Sequence, residues 1–528
     1  MIKFFKNFFS KPILMAMITF MAVNVIQAQT INVPADYPTI QEAIDAASAG
    51  DVIEVDDGTY NLSSPVLVDQ EVTLTGNTTS PANVIVNAPT SGIDRDVFQV
   101  IADNVTIQGF TIQGAEDVDA SSPNDGGKTN SGIAVGGDYF ILGTQPLGAT
   151  LYTFNWWAIG VDGITINDNI ITGNSYGVFV FHSQNVTIKN NEINANPYTG
   201  DASGVWNGKG VEIYSQPAMT MQSKVVVGTA LSHSSNITVE NNIISNNGLF
   251  GIELNYSEEY NLDGDPMPGP FTVNVAIVDN TISDNGGVDN YPWGSFDIYR
   301  GITSNGNESD VTVMGNTISG HVTGSNFVDS SAGIRISGSD DWTIENNDIS
   351  GNLRGIYAYN GSININVELN MIYDNAQGVV MEGATTGFVN FNSIYDNDVS
   401  TWTSDGIDPF GVVTLSMPRF SNNLDATCNW WGSTADADIE NMVQGDVDYR
   451  PWLISDDLTN PVCMGGLIFV DEISSPFPGT AQEAIDAAEF EVKFKYSPGK
   501  LNIGKELEII YDFRPFPFFL PPNGDDID

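Results

Sequence analysis

The 528-residue chain is poor in the groups that most reaction chemistry uses. It has two cysteines, Cys428 and Cys463, and three histidines, His182, His233 and His321. So few thiols and imidazoles, scattered along the chain, argue against a structural metal site. Bases are scarce as well: 18 Lys and Arg stand against 66 Asp and Glu, for a formal net charge of −48. A surface of that sign repels nucleic acid and anionic membranes, so neither is expected as a partner. No segment has the ~18 unbroken apolar residues of a membrane span. Helix-length periodicity is missing between the apolar stretches of the middle region, which makes doubly wound and barrel folds poor fits.

The amino terminus has the form of a secretory leader. Lys3, Lys6 and Lys11 precede a short apolar run from Ile13 to Val25, and Ile26-Gln27-Ala28 ends in a small residue. Residues 1–28 are therefore expected to be a signal peptide, with the mature chain secreted or at the cell surface. In an exported protein a lone pair of cysteines points to a Cys428–Cys463 disulfide, worth about 3–4 kcal/mol in the chain-entropy model. The acidic excess suits a soluble surface in salt or outside the cell. Carboxylates that bind Ca²⁺ are the sharper reading. The Gly-Gly-x-Gly-x-Asp nonapeptide of calcium-binding β-rolls is absent, so Ca²⁺ stays an open expectation with no ligand set to name.

What the chain does have is a repeat. Ile164-Thr-Ile-Asn-Asp-Asn-Ile-Ile-Thr-Gly-Asn174 recurs as Val186-Thr-Ile-Lys-Asn-Asn-Glu-Ile-Asn-Ala-Asn196, as the segment Ile237 to Asn247, and as the segment Trp342 to Asn352. Weaker copies place Asn280, Asn316, Asn370 and Asn392 at the equivalent of Asn169. Successive spacings are 22, 51, 38, 36, 31, 23 and 22 residues, a base period near 22 with insertions in the middle copies. Each copy alternates apolar and polar residues, passes a turn holding Asn, and resumes with Gly-Ile/Val-x-Ile/Val. Two strands per copy and tight turns, stacked copy on copy, give a right-handed parallel β-helix, an all-β solenoid. The turn Asn residues are expected to form a ladder, because Asn tolerates the left-handed conformation and its amide both donates and accepts.

At the front, Tyr37-Pro-Thr-Ile-Gln-Glu-Ala-Ile-Asp-Ala-Ala47 predicts a short amphipathic helix, with Thr39 and Glu42 as a capping box. Gly50-Asp-Val-Ile-Glu-Val follows it. Together with Val105-Thr-Ile-Gln-Gly-Phe-Thr-Ile112, these segments resemble the pectin-lyase-like superfamily of secreted and surface β-helix proteins, in which such a helix plugs the end of the solenoid. The resemblance covers roughly residues 31 to 455. Cys428-Asn-Trp-Trp-Gly-Ser433 and Gly445-Asp-Val-Asp-Tyr-Arg-Pro-Trp452 are similar to a segment that closes many surface β-helix proteins. The expected division is 1–28 signal, 29–60 cap and first coil, 61–427 β-helix with loop insertions, 428–463 Trp-rich closing segment, and 464–528 an appended segment. In that last part Thr480-Ala-Gln-Glu-Ala-Ile-Asp-Ala-Ala488 echoes the front helix, but no Gly-Asp-x-Ile strand follows.

The insertions flank the Gly-led strands and are rich in aromatic residues: Trp156, Trp157, Tyr198, Trp206, Tyr256, Tyr260, Tyr291, Trp293 and Tyr299. Aligning those strands on Gly177, Gly210, Gly251, Gly301, Gly333, Gly355 and Gly378 sends positions +1 and +3 inward. Position +2 then stacks outward as Phe179, Glu212, Glu253, Thr303, Arg335, Tyr357 and Val380. Position +4 stacks outward as Phe181, Tyr214, Asn255, Asn305, Ser337, Tyr359 and Glu382. Neighbouring coils lie about 4.8 Å apart, so Glu212 and Glu253 are expected to face solvent side by side, with Arg335 two coils on. Such a carboxylate pair suits a retaining glycosidase or a cation site. The candidate catalytic residues are Glu212, Glu253 and Arg335, and the candidate sugar-binding residues are Trp206, Tyr214, Tyr256, Trp293, Tyr357 and Tyr359.

Motifs of known β-helix enzymes are mostly missing. The pectinesterase Gln-Asp-Thr-Leu and Asp-Phe-Ile-Phe-Gly and the pectate-lyase Trp-Ile-Asp-His are absent. Gly320-His321-Val322 and Arg335-Ile336-Ser337 are similar to two polygalacturonase segments, but Asp340-Asp341 comes after them, in the wrong order. Asp405-Gly-Ile-Asp-Pro-Phe410 is similar to an alginate-epimerase motif with its Tyr and His both replaced. The Asn-rich coils also resemble periplasmic copper-site maturation proteins, but no Met, Cys or His cluster supports that role. The expected function is thus a secreted or surface β-helix that engages polysaccharide, with binding or adhesion slightly ahead. The alternatives are a lyase or glycoside hydrolase acting on acidic plant or algal glycans, and a structural surface protein with no small-ligand site. Oligomeric state is not legible.

Overall fold

The computed structural model describes residues 28–91, 95–116, 130–140, 156–197, 208–215, 233–256, 272–289, 296–298, 300–306, 308–322, 331–397, 410–415, 424–465, 468–470 and 492–494. Three long sheets, of 14, 12 and 11 strands, make up the solenoid. One coil runs Asp162–Asn167, Ile170–Thr172 and Tyr176–Phe181, and the next begins at Gln184–Lys189. Every pairing inside these three sheets is parallel and in step: Ile164 pairs with Val186, which pairs with Ile237. The fold is a right-handed parallel β-helix, as the repeat predicts.

Each coil has three strands where the pattern shows two. The extra strand is three residues long and buries its central side chain, for example Ile171, Ile193 and Ile244. Three residues are too few to display a period of two, which hid the strand inside the Asn-rich turn.

Splitting that turn produces two ladders. In the first, the Asn191 side-chain amide donates to Asn242 Oδ1 at 3.0 Å and to the Ile166 carbonyl at 3.0 Å. Its Oδ1 in turn accepts from the Asn169 amide N–H at 3.0 Å. Asn242, Asn280, Asn316, Asn347, Asn370, Asn392 and Asn429 continue the column. The second ladder contains Asn174, Asn196, Asn247 and Asn285, then His321, then Asn352 and Asn375. The left-handed residue is not the ladder Asn but the one before it: Asp168, Asn190 and Asn241 have φ of 55°, 53° and 54°. That bend leaves the following Asn side chain free to point into the corner and satisfy buried backbone groups.

The core is a column of Val, Ile and Leu running the length of the solenoid. Ile334 and Ile356 lie in it with no exposed surface, as their +1 positions predict. At the front, the helix Ile40–Ala46 packs Ile40, Ala43 and Ile44 onto this column, and the Thr39 hydroxyl accepts the Glu42 N–H at 3.2 Å. Near the other end Trp431 and Trp452 are buried in the same cluster. Cys428 and Cys463 are disulfide-bonded, with Cα atoms 5.0 Å apart. Of the echoed helix at 480–488 nothing is described, since it lies outside the described residues. Among those described, no helix is long and apolar enough to cross a membrane.

Candidate binding face on the Gly-led sheet

The Gly-led strands make up the 12-stranded sheet. A Cβ added to Gly210 would meet Ile244 Cγ2 at 2.8 Å, Asn247 Nδ2 at 2.9 Å and the Gly251 carbonyl at 2.6 Å. Gly210 therefore points into the core corner, and so does the next residue, Val211. Two inward positions in a row break the alternation. The residue just before the Gly thus joins positions +2 and +4 on the outer face. Strict period-two counting places that residue inward, which is why this column escaped sequence reasoning.

The column holds Tyr176, Lys209, Phe250, Arg300, Ala332, Arg354 and Gln377, all buried. The signal that could have found its bases is their spacing: Lys209, Arg300 and Arg354 each stand directly before a repeat Gly. With Arg335 at +2, four of the chain's 18 bases lie on one face of one sheet.

Glu212 and Glu253 do stand side by side, paired in register. They do not face solvent: Glu212 is 3% exposed and Glu253 2%. Lys209 Nζ lies 3.0 Å from Glu212 and is also ion-paired to Glu253. The Asn255 amide donates to Glu212 Oε1 at 2.7 Å, and the Asn305 amide donates to Glu253. One shared cation and two amide donors make burial of both carboxylates tolerable, which an outward position alone does not reveal. Burial pushes the Glu212 carboxyl above the usual range; Lys209 opposes this and Glu253 adds to it. For Lys209, burial works against the charge, but Glu212 and Glu253 outweigh it and hold the ammonium above its ordinary range.

Arg335 is 8% exposed, again not the open position expected. It donates to Thr303 Oγ1 at 3.2 Å, the Ser304 carbonyl at 3.0 Å and Asn305 Oδ1 at 3.1 Å. Its guanidinium lies 4.8 Å over the Tyr359 ring, and that of Arg354 lies 4.7 Å over Tyr357. The two tyrosine rings stack at 4.7 Å with planes 4° apart, and the Tyr357 hydroxyl donates to Glu382. Burial lowers Arg335 to about 9, with Arg300 repelling it, and lowers Arg300 to about 10. At the neighbouring corner Glu308, bonded to Ser339 Oγ at 2.6 Å and the Gly306 N–H at 3.1 Å, is pushed by burial up to about 8.

Part of the +4 column forms the accessible edge; Phe181 and Ser337, expected outward, are buried. Tyr214, Asn255, Tyr359 and Glu382 are half-buried and Asn305 is exposed. Of the other candidates, Tyr357 is buried. Tyr256 ends the strand Phe250–Tyr256, its side chain outside the description, and Trp206 and Trp293 lie outside the described residues. His321, from the Gly-His segment, is not at this face; it fills an Asn position in the second ladder. No group of three or more His, Cys, Asp or Glu able to hold a metal ion occurs among the described residues.

A three-sheet solenoid with one outer face dressed in charge and aromatic rings defines the class. The chain belongs to the right-handed β-helix family, whose model matches residues 67–338 and 297–425. Among solved structures it is similar to the A-module of the Azotobacter vinelandii mannuronan C-5 epimerase AlgE6, at 16% identity and TM-score 0.46, covering 78% of this chain and 94% of that one. It is also similar to PfbA, a surface adhesin of Streptococcus pneumoniae, at 15% identity and TM-score 0.44, covering 70% and 90%. The Dettilon tailspike protein is similar at 14% identity and TM-score 0.40, covering 76% and 61%. No curated protein matches the chain by sequence.

Proposed function

We propose that the mature chain is an exported β-helix protein that binds polysaccharide along the outer face of the Gly-led sheet, as a binding or adhesion surface. The observation that carries this reading is the +4 edge. Tyr214, Asn255, Asn305 and Tyr359 offer accessible rings and amides on coils about 4.8 Å apart, over a floor of fixed charges. Sugar rings stack on aromatic faces while polar groups fix their orientation. Turnover is the weaker reading because Glu212 and Glu253 are both engaged by Lys209 and by an Asn amide. Export rests on the 1–28 leader.

The test is retention on immobilised polysaccharides, followed by assay for released ends. Tyr214→Ala and Tyr359→Ala are expected to weaken retention, as are Trp206→Ala and Trp293→Ala on the inserted loops. Glu212→Gln should have a modest effect. If no polysaccharide is retained, the protein is a structural surface element instead.

One observation favours hydrolase or lyase activity as the second reading. Glu212 is raised by burial beside a second carboxylate, and Glu308 is raised to about 8, so each tends toward the protonated form a general acid needs. New reducing or unsaturated ends, lost in Glu212→Gln or Glu253→Gln while retention survives, would establish it. Loss of product with EDTA would bring in Ca²⁺.

A further inference from the structure

Lys209, Glu212 and Glu253 meet on two neighbouring strands, Lys209–Ser215 and Phe250–Tyr256. Glu212 pairs in register with Glu253 and Lys209 with Phe250, so Lys209 reaches Glu253 along the diagonal between coils. Its Nζ touches Glu253 Oε2 and lies 3.0 Å from Glu212 Oε1, and none of the three side chains is more than 4% exposed. The surroundings are aromatic: Nζ lies 5.3 Å from the centre of the Tyr176 ring and 6.0 Å from that of Phe250. Glu253 is held on both oxygens, by Lys209 at Oε2 and by the Asn305 amide at Oε1.

An ammonium and a carboxylate in contact are one proton transfer away from an amine and a carboxylic acid. Burial penalises the charged form and narrows the gap between the two. The two carboxylates hold the Lys209 proton firmly, so it passes to one of them rather than to solvent. Amine and acid fixed in contact react as if at about 10⁵–10⁸ M, and exclusion of water suppresses the reverse hydrolysis. The Asn305 amide already bonds the Glu253 oxygen that would carry negative charge during attack, and the Arg300 charge attracts the same carboxylate. Burial raises the Glu212 carboxyl, which suits it to hold a proton beside Nζ and hand it on.

We propose that Lys209 and Glu253 join in an amide bond between neighbouring coils, with Glu212 carrying a proton from one to the other. The Lys209 ammonium gives one proton to Glu253 Oε2, and the freed lone pair of Nζ attacks Glu253 Cδ. The C–N bond forms as the C=O electron pair moves onto Oε1, beside the Asn305 amide. Glu212 takes a second proton from Nζ and passes one to the Oε2 hydroxyl. The C–Oε2 bond then breaks, water leaves with its electron pair, and the carbonyl re-forms. Ammonium and carboxylate thus give one amide and one water, with no oxidation or reduction, and Glu212 ends as it began. The bond closes the chain between residues 209 and 253 and, unlike the Cys428–Cys463 bridge, resists reduction. It goes beyond glycan binding and does not depend on it.

The test is the mass of the full mature chain after reduction of its disulfide, followed by tryptic digestion of the unfolded protein. The wild-type mass should fall short of the sequence mass by one water. Trypsin should fail to cut after Lys209, and a branched peptide should join the segment holding Lys209 to the segment holding Glu253. Lys209→Met and Glu253→Ala should each restore the missing water. Glu212→Gln keeps the shape but loses the acid, and should slow formation of the branched peptide by about 10²-fold or more. Circular dichroism shows which variants fold, but the wild-type peptide decides by itself, so the inference does not depend on them. A folded wild type of full mass, cut by trypsin after Lys209, overturns the bond. So does a water loss that maps to any other part of the chain. A branched peptide formed as fast in Glu212→Gln as in wild type overturns the role given to Glu212.

Discussion

Lys209 reaches Glu212 on its own strand at 3.0 Å and also Glu253 on the next coil, so one buried cation neutralises two carboxylates. Removing it leaves two charged groups covered and unpaired by any cation at that point. Lys209→Met is therefore expected to destabilise the fold by about 3–5 kcal/mol, the usual consequence of breaking a buried pair from one side. Urea unfolding at pH 7 measures it. A loss below 1 kcal/mol would show that the pair is solvated and the face open.

His321 stands in a column of asparagines, its ring 2.8 Å from Asn352 Oδ1 and 3.3 Å from Asn285 Nδ2. Burial lowers its pKa from 6.5 to about 4, against the smaller opposing effect of the Asn352 bond. A group depressed on folding binds its proton more readily when unfolded. Its contribution is therefore complete above about pH 6.5 and is lost as the pH falls from there through 4. The loss amounts to about 3 kcal/mol at most, from 1.36 kcal/mol per unit. His321→Asn restores the ladder residue, and its stability should fall less than that of wild type between pH 7 and pH 4. Parallel curves for the two proteins would assign the acid sensitivity elsewhere.

Ile334 and Ile356 are fully buried in the dry column of the solenoid. Ile334→Ala should cost about 2–5 kcal/mol, and Ile334→Asp or Ile356→Asp more, because the carboxyl has no partner there. Secreted yield should collapse for the Asp variants. Normal yield with an unchanged β-signal in circular dichroism would contradict the burial.

The Cys428–Cys463 bridge ties residues 35 apart. Replacing both by Ser should cost about 3–4 kcal/mol if the chain-entropy account holds. Mass spectrometry after alkylation without reduction should find neither cysteine modified. Both alkylated would mean that the mature protein lacks the bridge.

The ladder, the solenoid and the inward Ile and Val positions were legible because each rests on a local spacing repeated many times. The third strand was not, since three residues carry no period. The face was half legible. The stacking of Glu212 on Glu253 followed from aligning glycines, and the register bears it out. Their burial and the presence of Lys209 did not follow, because Gly210 and Val211 both turn inward and reverse the parity of the residue before them. His321 misleads in the other sense: beside Gly320 it resembles a reactive segment, whereas the coil places it in a corner ladder.

The sequence by itself determined the parallel β-helix, the Asn columns, the front cap helix and the pairing of its two cysteines, because periodic burial, chain-local propensity and a lone cysteine pair need no knowledge of distant contacts. Only the tertiary structure decided which outward side chains share a charge and which are covered. Arg300, Ala332, Arg335 and Arg354 come together over 54 residues of chain solely through the stacking of coils of unequal length. The sign and burial of a site depend on such neighbours across coils, and those are set by register rather than by spacing along the chain.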